Sequence, residues 1–346
     1  RTDDKINIYK DAKIEKMAYF IFNAHISRDY FFNFADASAI SHPDRGLACK
    51  LGEMTGQPNM QHLVGLQAIK WQPDNITPEI TIGSTILTLM LRDLFWFKPL
   101  QGKTELKKTL SVWYPNTEIL ICRESENPDK GLYCAIKAGH NGENHNHNDV
   151  GHFILFSEGR PAIIDVGVET YSKETFGPNR YSLTYMKSSA HNIAVVNGIE
   201  QKNGKDFRAK NVVCNQQPNF SVLQMNLEGV YPKESRLSSY KRESKFDHAH
   251  GQLKIQDTFE FLSTANQIEI HFFCQNKPII QNDNTVTLLE NKKLTLSVNQ
   301  SSMKFSVQEI VVTDKQLLNS WASPLYKLSG KILVSGTNLD LQFNFK

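Results

Sequence analysis

The segment GHNGENHNHNDVGHFILF, residues 139–156, holds four histidines, four asparagines and one aspartate before an apolar strand begins. If the segment is extended, its side chains alternate between two faces, with His145, His147 and Asp149 on one and Asn144, Asn146, Asn148 and His152 on the other. Two imidazoles and one carboxylate suit a divalent metal, and zinc best. A single histidine would more often belong to a solvated polar loop. HNHND directly before a core strand favours a functional site.

Two further residues could complete a metal site. Asp165 lies in the apolar stretch PAIIDVG, where an unpaired carboxylate is costly to bury. His191 stands at the start of another apolar strand in SSAHNIAVV. With the histidine-rich segment they give a His/Asp/His set. A tight turn at Glu158-Gly159 would place Asp165 opposite residues 151–153. Asp165 therefore reaches His147 only if the turn is wider or if HNHND folds back over the sheet.

The spacing of apolar residues changes near residue 105, from the period of a helix to that of a strand. The elements that position the candidate residues therefore differ on the two sides of this point. In DAKIEKMAYFIFNAHI the apolar residues recur at helical spacing. Thr77-Pro78 predicts a second helix start, with threonine as the cap and proline at the first helical position. Between them, FFNFADASAISHPDRG reads as an irregular loop. We therefore predict a helical segment over residues 1–104.

From residue 105 onward the pattern is that of β-strands. Segments such as EILICR, LYCAIK, HFILF, PAIIDV, HNIAVV, QLKIQDTFEF, QIEIHFF, KLTLSV and LDLQFNF alternate or run apolar between turn residues. SEGRP and NKK are suitable hairpin connections. No helix-length pattern intervenes, which argues against parallel βαβ units. The sequence predicts a large antiparallel β-sandwich over residues 105–346.

Composition narrows the possible partners. The formal net charge of +3 is too small to argue for nucleic acid or a membrane surface. The apolar stretch Ile86–Phe97 is interrupted by Thr88, Arg92 and Asp93 and cannot span a bilayer. The five cysteines are scattered without a CxxC pair, so neither a cysteine zinc site nor a disulfide framework is indicated. We expect neither nucleic acid nor a membrane as a partner.

The segments HNHNDVGHFILFSEGRPAIIDVG and RYSLTYMKSSAHNIAVVNGIEQKNGKDFRA resemble the heparinase II/III-like group of polysaccharide lyases, most closely over residues 131–209. HNHNDVG with a downstream Asp and His-Asn is more specific than a lone HxH. The resemblance implies an α/α toroid followed by an antiparallel β-sandwich. Residues 1–104 would then be the end of a toroid, with the rest of it upstream. The opening RTDD, without a methionine, agrees with that expectation.

The resemblance also implies a metal centre and a catalytic histidine. His147 would bind a structural zinc ion together with Asp165 and His191. His145 would face the substrate and assist an elimination reaction. The four residues lie within one stretch of the predicted sandwich, on the loops that line the cleft.

Further residues are implied as catalytic or as substrate contacts. In this family a tyrosine between the metal-binding aspartate and the last histidine can reach the cleft, and both Tyr181 and Tyr185 satisfy that order. Arg180 would lie beside the same cleft and meet a carboxylate with its planar guanidinium. Asn144 and Asn33 are the other expected substrate contacts.

The implied reaction is β-elimination on a uronic acid of an acidic polysaccharide, of the glycosaminoglycan or alginate type. A base removes the proton next to the carboxylate, and an acid protonates the departing glycosidic oxygen. In this family the toroid supplies much of the catalytic apparatus, so these residues would form about half of an active site. Such lyases act in the periplasm or outside the cell, which sets the expected location.

Three other interpretations stay open from the sequence. The first is a non-catalytic, zinc-stabilised carbohydrate-binding β-sandwich. The second is a metal-dependent hydrolase, because HNHNDVGH is similar to the HxHxDH signature of metallo-β-lactamase-like enzymes. In that signature a histidine follows the aspartate directly, whereas Val150 stands there in this chain. The third is a cupin-like metal site, which fits poorly with the leading helices.

Overall fold

The helical part of the chain begins with a capped helix. The structure is a computed structural model that describes residues 7–70, 84–98, 106–289 and 294–346. The carboxylate of Asp11 accepts the N–H of Lys13 at 2.8 Å, and that of Asp44 accepts the N–H of Leu47 at 2.8 Å, so each caps the helix that follows. The α-helices described in this part are α1 (Ala12–Ala24), α2 (Arg45–Met54), α3 (Pro58–Lys70) and α4 (Ser84–Trp96).

These helices belong to a compact unit of residues Arg1–Phe31, Ile40–Lys108 and Glu126–Pro128. Phe22 of α1 is buried in its core with neighbours from α2 and α3. The helix predicted in DAKIEKMAYFIFNAHI is confirmed as α1, whereas the predicted start at Thr77-Pro78 lies outside the described residues. A short hairpin, β1 (His25–Ser27) and β2 (Tyr30–Phe31), follows α1.

The segment Phe32–Ala39 belongs to the second, β-rich unit, together with Thr109–Ser125 and Asp129–Lys346. This differs from the sequence prediction, which placed these eight residues in the helical segment. The segment contains no helix or strand, and the isolated bridge between Tyr30 and Ile40 lies outside it. Its sequence therefore has no periodicity that would show which unit it belongs to. Asp36, which lies beside the histidine-rich loop, belongs to this segment.

The β-rich unit is built from antiparallel sheets. A five-stranded sheet has the order β3 (Ser111–Tyr114), β4 (Ile119–Arg123), β5 (Leu132–Lys137), β7 (Phe153–Ser157), β8 (Arg160–Ile163). A four-stranded sheet has the order β19 (Lys304–Ile310), β20 (Leu325–Val334), β15 (Asn266–Cys274), β9 (Ala194–Val196). A small sheet pairs β6 (His140–Asn141) with β10 (Gly204–Arg208).

The largest sheet has eight strands. Its order is β11 (Lys210–Gln216), β12 (Phe220–Asn226), β13 (Leu237–Asp247), β14 (Gln252–Phe261), β21 (Asn338–Phe345), β18 (Leu294–Val298), β17 (Thr285–Leu289), β16 (Ile279–Asn282). Short helical turns occupy Ile8–Lys10, Lys173–Phe176, Arg180–Ser182, Thr184–Met186, Ser188–Ala190, Glu228–Val230 and Lys233–Ser235, and α5 is Lys315–Leu318.

One apolar core joins the three large sheets. Phe153 of β7 packs edge-to-face on Phe272 of β15 at 6.2 Å between ring centroids, and Phe272 packs on Phe343 of β21 at 5.6 Å. Strand β14 alternates buried and half-exposed residues, as a strand with one wet face should. Strands β4, β5 and β7 are buried throughout, so their sheet is covered on both faces. The predicted antiparallel β-sandwich is confirmed.

Two connections fix where the candidate site lies. Glu158 and Gly159 link β7 to β8 in a two-residue turn with φ of 51° and 68°, the left-handed backbone of a mirror-image hairpin turn. The predicted hairpin at SEGRP is confirmed, whereas the NKK turn lies outside the described residues. Asp165 lies two residues after the end of β8, and the histidine-rich loop ends at the start of β7. Among the described residues no helix has the length and apolar character needed to cross a membrane.

Candidate active site and metal centre

The HNHND segment is an irregular loop between β6 and β7, and the prediction of two alternating faces is wrong. His145 has a φ of 57°, which breaks the extended conformation at the first histidine of the motif. Asp149 is fully buried and accepts a hydrogen bond from Lys137 Nζ at 2.6 Å, so its carboxylate is paired with a cation of the neighbouring strand. Asp149 therefore leaves the expected set of metal ligands.

Gln201 holds the loop folded back over the sheet. Its side-chain oxygen accepts the N–H of Val150 at 3.1 Å and the side-chain amide of Asn141 at 2.9 Å, and its own amide donates to the Val150 carbonyl at 2.7 Å. The turn at Glu158-Gly159 is tight. Asp165 therefore comes close to His147 because the HNHND segment folds back over the sheet, and not because the turn is wide.

His147, Asp165 and His191 come together as a buried cluster. One potential ligand atom from each residue lies within 4.8 Å of those from the other two. The imidazole rings of His147 and His191 are 5.2 Å apart between centroids. Three elements supply the cluster: the histidine-rich loop, the end of β8 and the approach to β9. Residues that sequence reasoning grouped from separate segments are thus brought into one place.

The donor chemistry of this cluster fits a divalent metal. His147 Nδ1 and both ring nitrogens of His191 are buried and have no hydrogen-bond partner among the described residues, and Asp165 adds a buried carboxylate oxygen to the same cluster. Unpartnered buried polar atoms are costly, and a bound cation satisfies them. Burial lowers the pKa of His191 to about 3, so the ring is neutral, the form that binds metal. Burial alone would raise the pKa of Asp165, but His191 and His152 hold it well below its usual range.

His152 is a further member that the sequence left without a role. Its Nδ1 accepts the backbone N–H of Asn192 at 2.9 Å, so a neutral ring carries its hydrogen on Nε2. That nitrogen lies 3.2 Å from Asp165 Oδ2. His152 is therefore placed to orient the Asp165 carboxylate rather than to ligate a metal. It was missed because the predicted alternation put it on the opposite face from His147.

Asp36 stands beside both histidines of the motif. Its Oδ1 lies 2.9 Å from His147 Nε2, and its Oδ2 lies 2.9 Å from His145 Nδ1. Arg180 Nη2 donates to Oδ1 at 2.8 Å, and the Tyr171 hydroxyl donates to Oδ2 at 3.2 Å. Burial alone would raise the pKa of Asp36, but the hydrogen bonds from His147, Arg180 and His145 hold it well below its usual range. Asp36 is an ionised acceptor for all four groups.

His145 forms the exposed side of this cluster. Its side chain is 54% exposed, whereas the His147 side chain is fully buried. Phe176 packs edge-to-face on His145 at 5.6 Å, and Tyr171 packs on Phe176 at 5.0 Å. Phe176 and Tyr171 are themselves 64% and 49% exposed. An imidazole with an open edge thus lies beside an exposed aromatic pair.

Two predicted substrate contacts are used internally. Arg180 is buried, and its other nitrogens donate to the Asn146 carbonyl at 3.0 Å and the Thr175 carbonyl at 2.7 Å. Asn33 is buried, and its amide donates to the Asp165 carbonyl at 3.0 Å. These positions differ from the expected contacts with substrate, because in each case the protein backbone takes the hydrogen bonds. Asn144, by contrast, is exposed.

The two candidate tyrosines are placed differently. The Tyr181 hydroxyl accepts a hydrogen bond from Asn146 Nδ2 at 3.2 Å, within the histidine-rich loop. Tyr185 instead lines a cavity of about 300 Å³ with Glu169 and Asp314. Burial raises the pKa of Tyr185, and the charge of Glu169 adds to that effect. The geometry favours Tyr181 over Tyr185 as the tyrosine of the histidine site.

Sequence reasoning missed Asp36 and Tyr171 as members of the site. Tyr171 lies between Asp165 and His191 in the chain, so it satisfies the same order that selected the other two tyrosines. Asp36 lies three residues after the expected substrate contact Asn33, but 109 positions separate it from His145 in the chain. No spacing rule links residues that far apart.

Comparison with known proteins agrees with this architecture. The family model described as "Heparinase II/III-like, C-terminal" matches residues 110–337. A comparison with curated protein sequences finds no significant match.

Several solved structures share the fold. A heparan sulfate lyase, HepC from Pedobacter heparinus, superposes with a TM-score of 0.62 at 15% identity, covering 95% of this chain and 45% of that one. A heparinase III superposes with a TM-score of 0.66 at 13% identity, covering 96% and 47%. A second heparinase III, the BT4657 gene product, gives 0.63 at 14%, covering 94% and 44%.

The chain thus spans less than half the length of these enzymes. At such identities the superpositions show the fold alone. The family match covers well over half of the chain, including the histidine-rich loop, Asp165 and His191. The chain belongs to the heparinase II/III-like family, of which it carries the C-terminal domain.

Proposed function

We propose that this protein acts in β-elimination on a uronic-acid-containing polysaccharide, with His145 as the residue of this chain that assists proton transfer. Family membership supports a polysaccharide lyase of the glycosaminoglycan type. The observation that carries the proposal is the placement of His145: an exposed ring whose Nδ1 lies 2.9 Å from the Asp36 carboxylate and whose Nε2 has no hydrogen bond within the described part of the chain.

In the proposed reaction, His145 Nε2 takes the proton from the carbon next to the uronate carboxylate. The electron pair of that C–H bond forms a carbon–carbon double bond, and the bond to the glycosidic oxygen breaks. An acid must protonate that oxygen as it leaves. Asp36 stays ionised and compensates the positive charge that develops on the His145 ring, as a carboxylate behind a catalytic histidine does.

Tyr181 is the acid we favour on this chain. Its oxygen accepts a hydrogen bond from Asn146 Nδ2 at 3.2 Å, and its own O–H hydrogen has no acceptor among the residues that the structure describes, so it can be donated. Phe176 and Tyr171 offer exposed apolar ring surface next to His145, which suits the faces of sugar rings. Asn144 is the exposed amide of the same loop and stays a proposed substrate contact.

We further propose that His147, Asp165 and His191 hold a structural zinc ion. When bound, zinc would fix the histidine-rich loop, the end of β8 and the approach to β9 to one another. Metal that binds only the folded protein also stabilises it by mass action. The predicted acidic polysaccharide partner, a toroid domain upstream and a periplasmic or secreted location belong to the same proposal.

The proposal is tested by ultraviolet absorbance, because elimination creates an unsaturated uronate that absorbs where the polymer does not. Heparan sulfate, chondroitin sulfate and alginate are supplied in turn to the chain and to any longer natural form of it. We expect absorbance to rise with at least one polymer and the rise to disappear in His145→Ala. Asn215→Ala, a change on strand β11 of the large sheet, is the control and should keep the rate. Absence of a rise with every polymer would reject the proposal.

A further inference from the structure

Asp36 divides its two oxygens between two histidines with different proposed tasks. Oδ1 accepts from His147 Nε2 at 2.9 Å, and Oδ2 accepts from His145 Nδ1 at 2.9 Å. The Asp36 side chain is only 4% exposed. An ionised carboxylate has no hydrogen to donate, so each of the facing ring nitrogens must carry one. The positions of both ring hydrogens follow from this single residue.

The hydrogen positions decide which nitrogens stay bare. In a neutral ring with hydrogen on Nε2, His147 presents Nδ1, the buried atom without a partner that belongs with Asp165 and His191. In a neutral ring with hydrogen on Nδ1, His145 presents Nε2 on the exposed side of the cluster. The same carboxylate thus prepares one histidine for a metal and the other for a proton.

The backbone on both sides of this contact is strained. Ala35, immediately before Asp36, has a φ of 61°, and His145 has a φ of 57°. A left-handed conformation is unfavourable for a non-glycine residue because Cβ crowds the following carbonyl oxygen. Strained backbone persists where surrounding contacts over-determine it, and such positions cluster at functional sites. The carboxylate of Asp36 and the imidazole of His145 meet beside these two strained positions, although 109 positions separate them in the chain.

We propose that Asp36 is a positioning residue that joins the metal centre to His145, fixing the metal-facing nitrogen of His147 and the substrate-facing nitrogen of His145 together. Metal-binding histidines commonly donate their second ring N–H to a carboxylate, and loss of that partner typically weakens metal binding 10- to 100-fold. The part that concerns His145 rests on the proposed lyase function. The part that concerns His147 rests on the metal centre alone.

The alternative to this proposal is that Asp36 has a purely structural role. Through Arg180 it also holds the Phe32–Ala39 segment, because Arg180 Nη2 donates to Oδ1 at 2.8 Å. A structural role would change folding stability equally with and without metal. It would not alter which nitrogen of His145 carries the hydrogen. The experiment must therefore read metal affinity and ring hydrogens, besides activity.

The test compares Asp36→Asn with Asp247→Asn. Asp247 is a matched control because its Oδ2 also meets an imidazole, His250 Nδ1 at 2.9 Å, at an exposed site. Zinc affinity of the metal-free proteins is measured by competition with a chromophoric chelator. We expect Asp36→Asn to bind zinc about 10- to 100-fold more weakly and Asp247→Asn to match the unmodified protein. Equal zinc affinity in all three proteins would overturn the metal half of the proposal.

A second measurement does not depend on the variant folding. Nitrogen-15 NMR of the unmodified, metal-free protein reports the hydrogen position on each ring. We expect hydrogen on Nε2 of His147 and on Nδ1 of His145, and the opposite arrangement on either ring overturns the proposal. If the protein shows no lyase activity yet Asp36→Asn weakens zinc binding, the proposed function fails and the metal half stands. If the lyase is active and Asp36→Asn keeps its kcat, the His145 half fails.

Discussion

At the scale of single residues, the site consists of two histidines that share one carboxylate. His145 is open to solvent, and His147 is closed off beside Asp165 and His191. The motif HNHND therefore divides its chemistry by burial and not by alternation along a strand. This explains how two histidines separated by one residue can have different proposed tasks.

Removing zinc is predicted to lower the melting temperature. If free zinc is present at 100 times its Kd, binding stabilises the folded state by about 2.7 kcal/mol, which chelation removes. His147→Ala should have the lower melting temperature from the start and should not respond to a chelator. Differential scanning calorimetry with and without chelator measures both effects. A chelator that leaves the unmodified protein unchanged would contradict the metal centre.

Phe176→Ala is predicted to raise KM and leave kcat nearly unchanged. An exposed aromatic face beside His145 would bind substrate and transition state alike, and its loss should weaken binding by about 0.5–1.5 kcal/mol, or roughly two- to twelvefold in KM. Leu333→Ala is the control, because that side chain is 76% exposed on β20. Steady-state kinetics on a cleaved polymer provide the measurement. Equal KM values for Phe176→Ala and Leu333→Ala would remove Phe176 from the substrate surface.

At the scale of elements, a buried ion pair in the eight-stranded sheet is hydrogen-bonded to the end of the histidine-rich loop. Arg242 of β13 donates to Asp257 of β14 at 2.7 and 2.6 Å, and its remaining nitrogen donates to the Gly151 carbonyl at 2.7 Å. Gly151 lies two residues after Asp149, at the end of the histidine-rich loop. The eight-stranded sheet is thereby tied to the loop that carries the site.

Breaking this pair is predicted to be strongly destabilising. Arg242→Met leaves Asp257 buried without its partner, which typically costs 3–5 kcal/mol. Lys304→Met is the control, because Lys304 and Asp283 form an exposed pair at 3.3 Å and such pairs contribute about 0–1 kcal/mol. Chemical denaturation gives both free energies of unfolding. A similar loss in the two variants would show that burial does not govern the effect.

His271 on β15 is predicted to make the four-stranded sheet acid-sensitive. Burial, followed by the charge of Lys327, lowers the pKa of His271 to about 3, from an ordinary value of 6.5. Between pH 3 and pH 6.5 the His271 ring is protonated in the unfolded chain and neutral in the folded protein. The contribution of His271 to the free energy of unfolding is therefore fully present above pH 6.5 and falls as the pH drops toward 3. The slope approaches about 1.4 kcal/mol per pH unit.

The acid sensitivity is measured by denaturation at several pH values with chelator present, so that metal release does not contribute. His271→Gln can still hydrogen-bond Ser329, whose Oγ lies 3.0 Å from His271 Nδ1. In His271→Gln, the slope of the free energy of unfolding against pH should be smaller by the contribution of about one proton. An unchanged slope would show that His271 does not titrate on unfolding.

At the scale of the whole molecule, the fold follows from local patterns and the site does not. QLKIQDTFEF coincides with β14 because one face of that strand is buried and the other half-exposed. Asp165 and His191 were proposed as metal ligands from their positions beside apolar strands, and the family resemblance singled out His147 in the histidine-rich segment. Asp36 and His152 were not proposed, because one lies 109 residues from His145 and the other depends on a loop that leaves the extended conformation. Contacts of that kind arise from tertiary folding and have no sequence period.

The mass of the products tests directly whether the proposed reaction is an elimination. Elimination splits the polymer without adding water, whereas a metal-dependent hydrolase adds one water to each cleavage. We predict that mass spectrometry of heparan sulfate, chondroitin sulfate or alginate digests will show that each cleavage creates one fragment with an unsaturated uronate at its new non-reducing end, lighter by one water than the hydrolytic fragment, and no such fragment after His145→Ala. Cleavage in which the new non-reducing ends are saturated, or unsaturated fragments that persist in His145→Ala, would contradict elimination by His145.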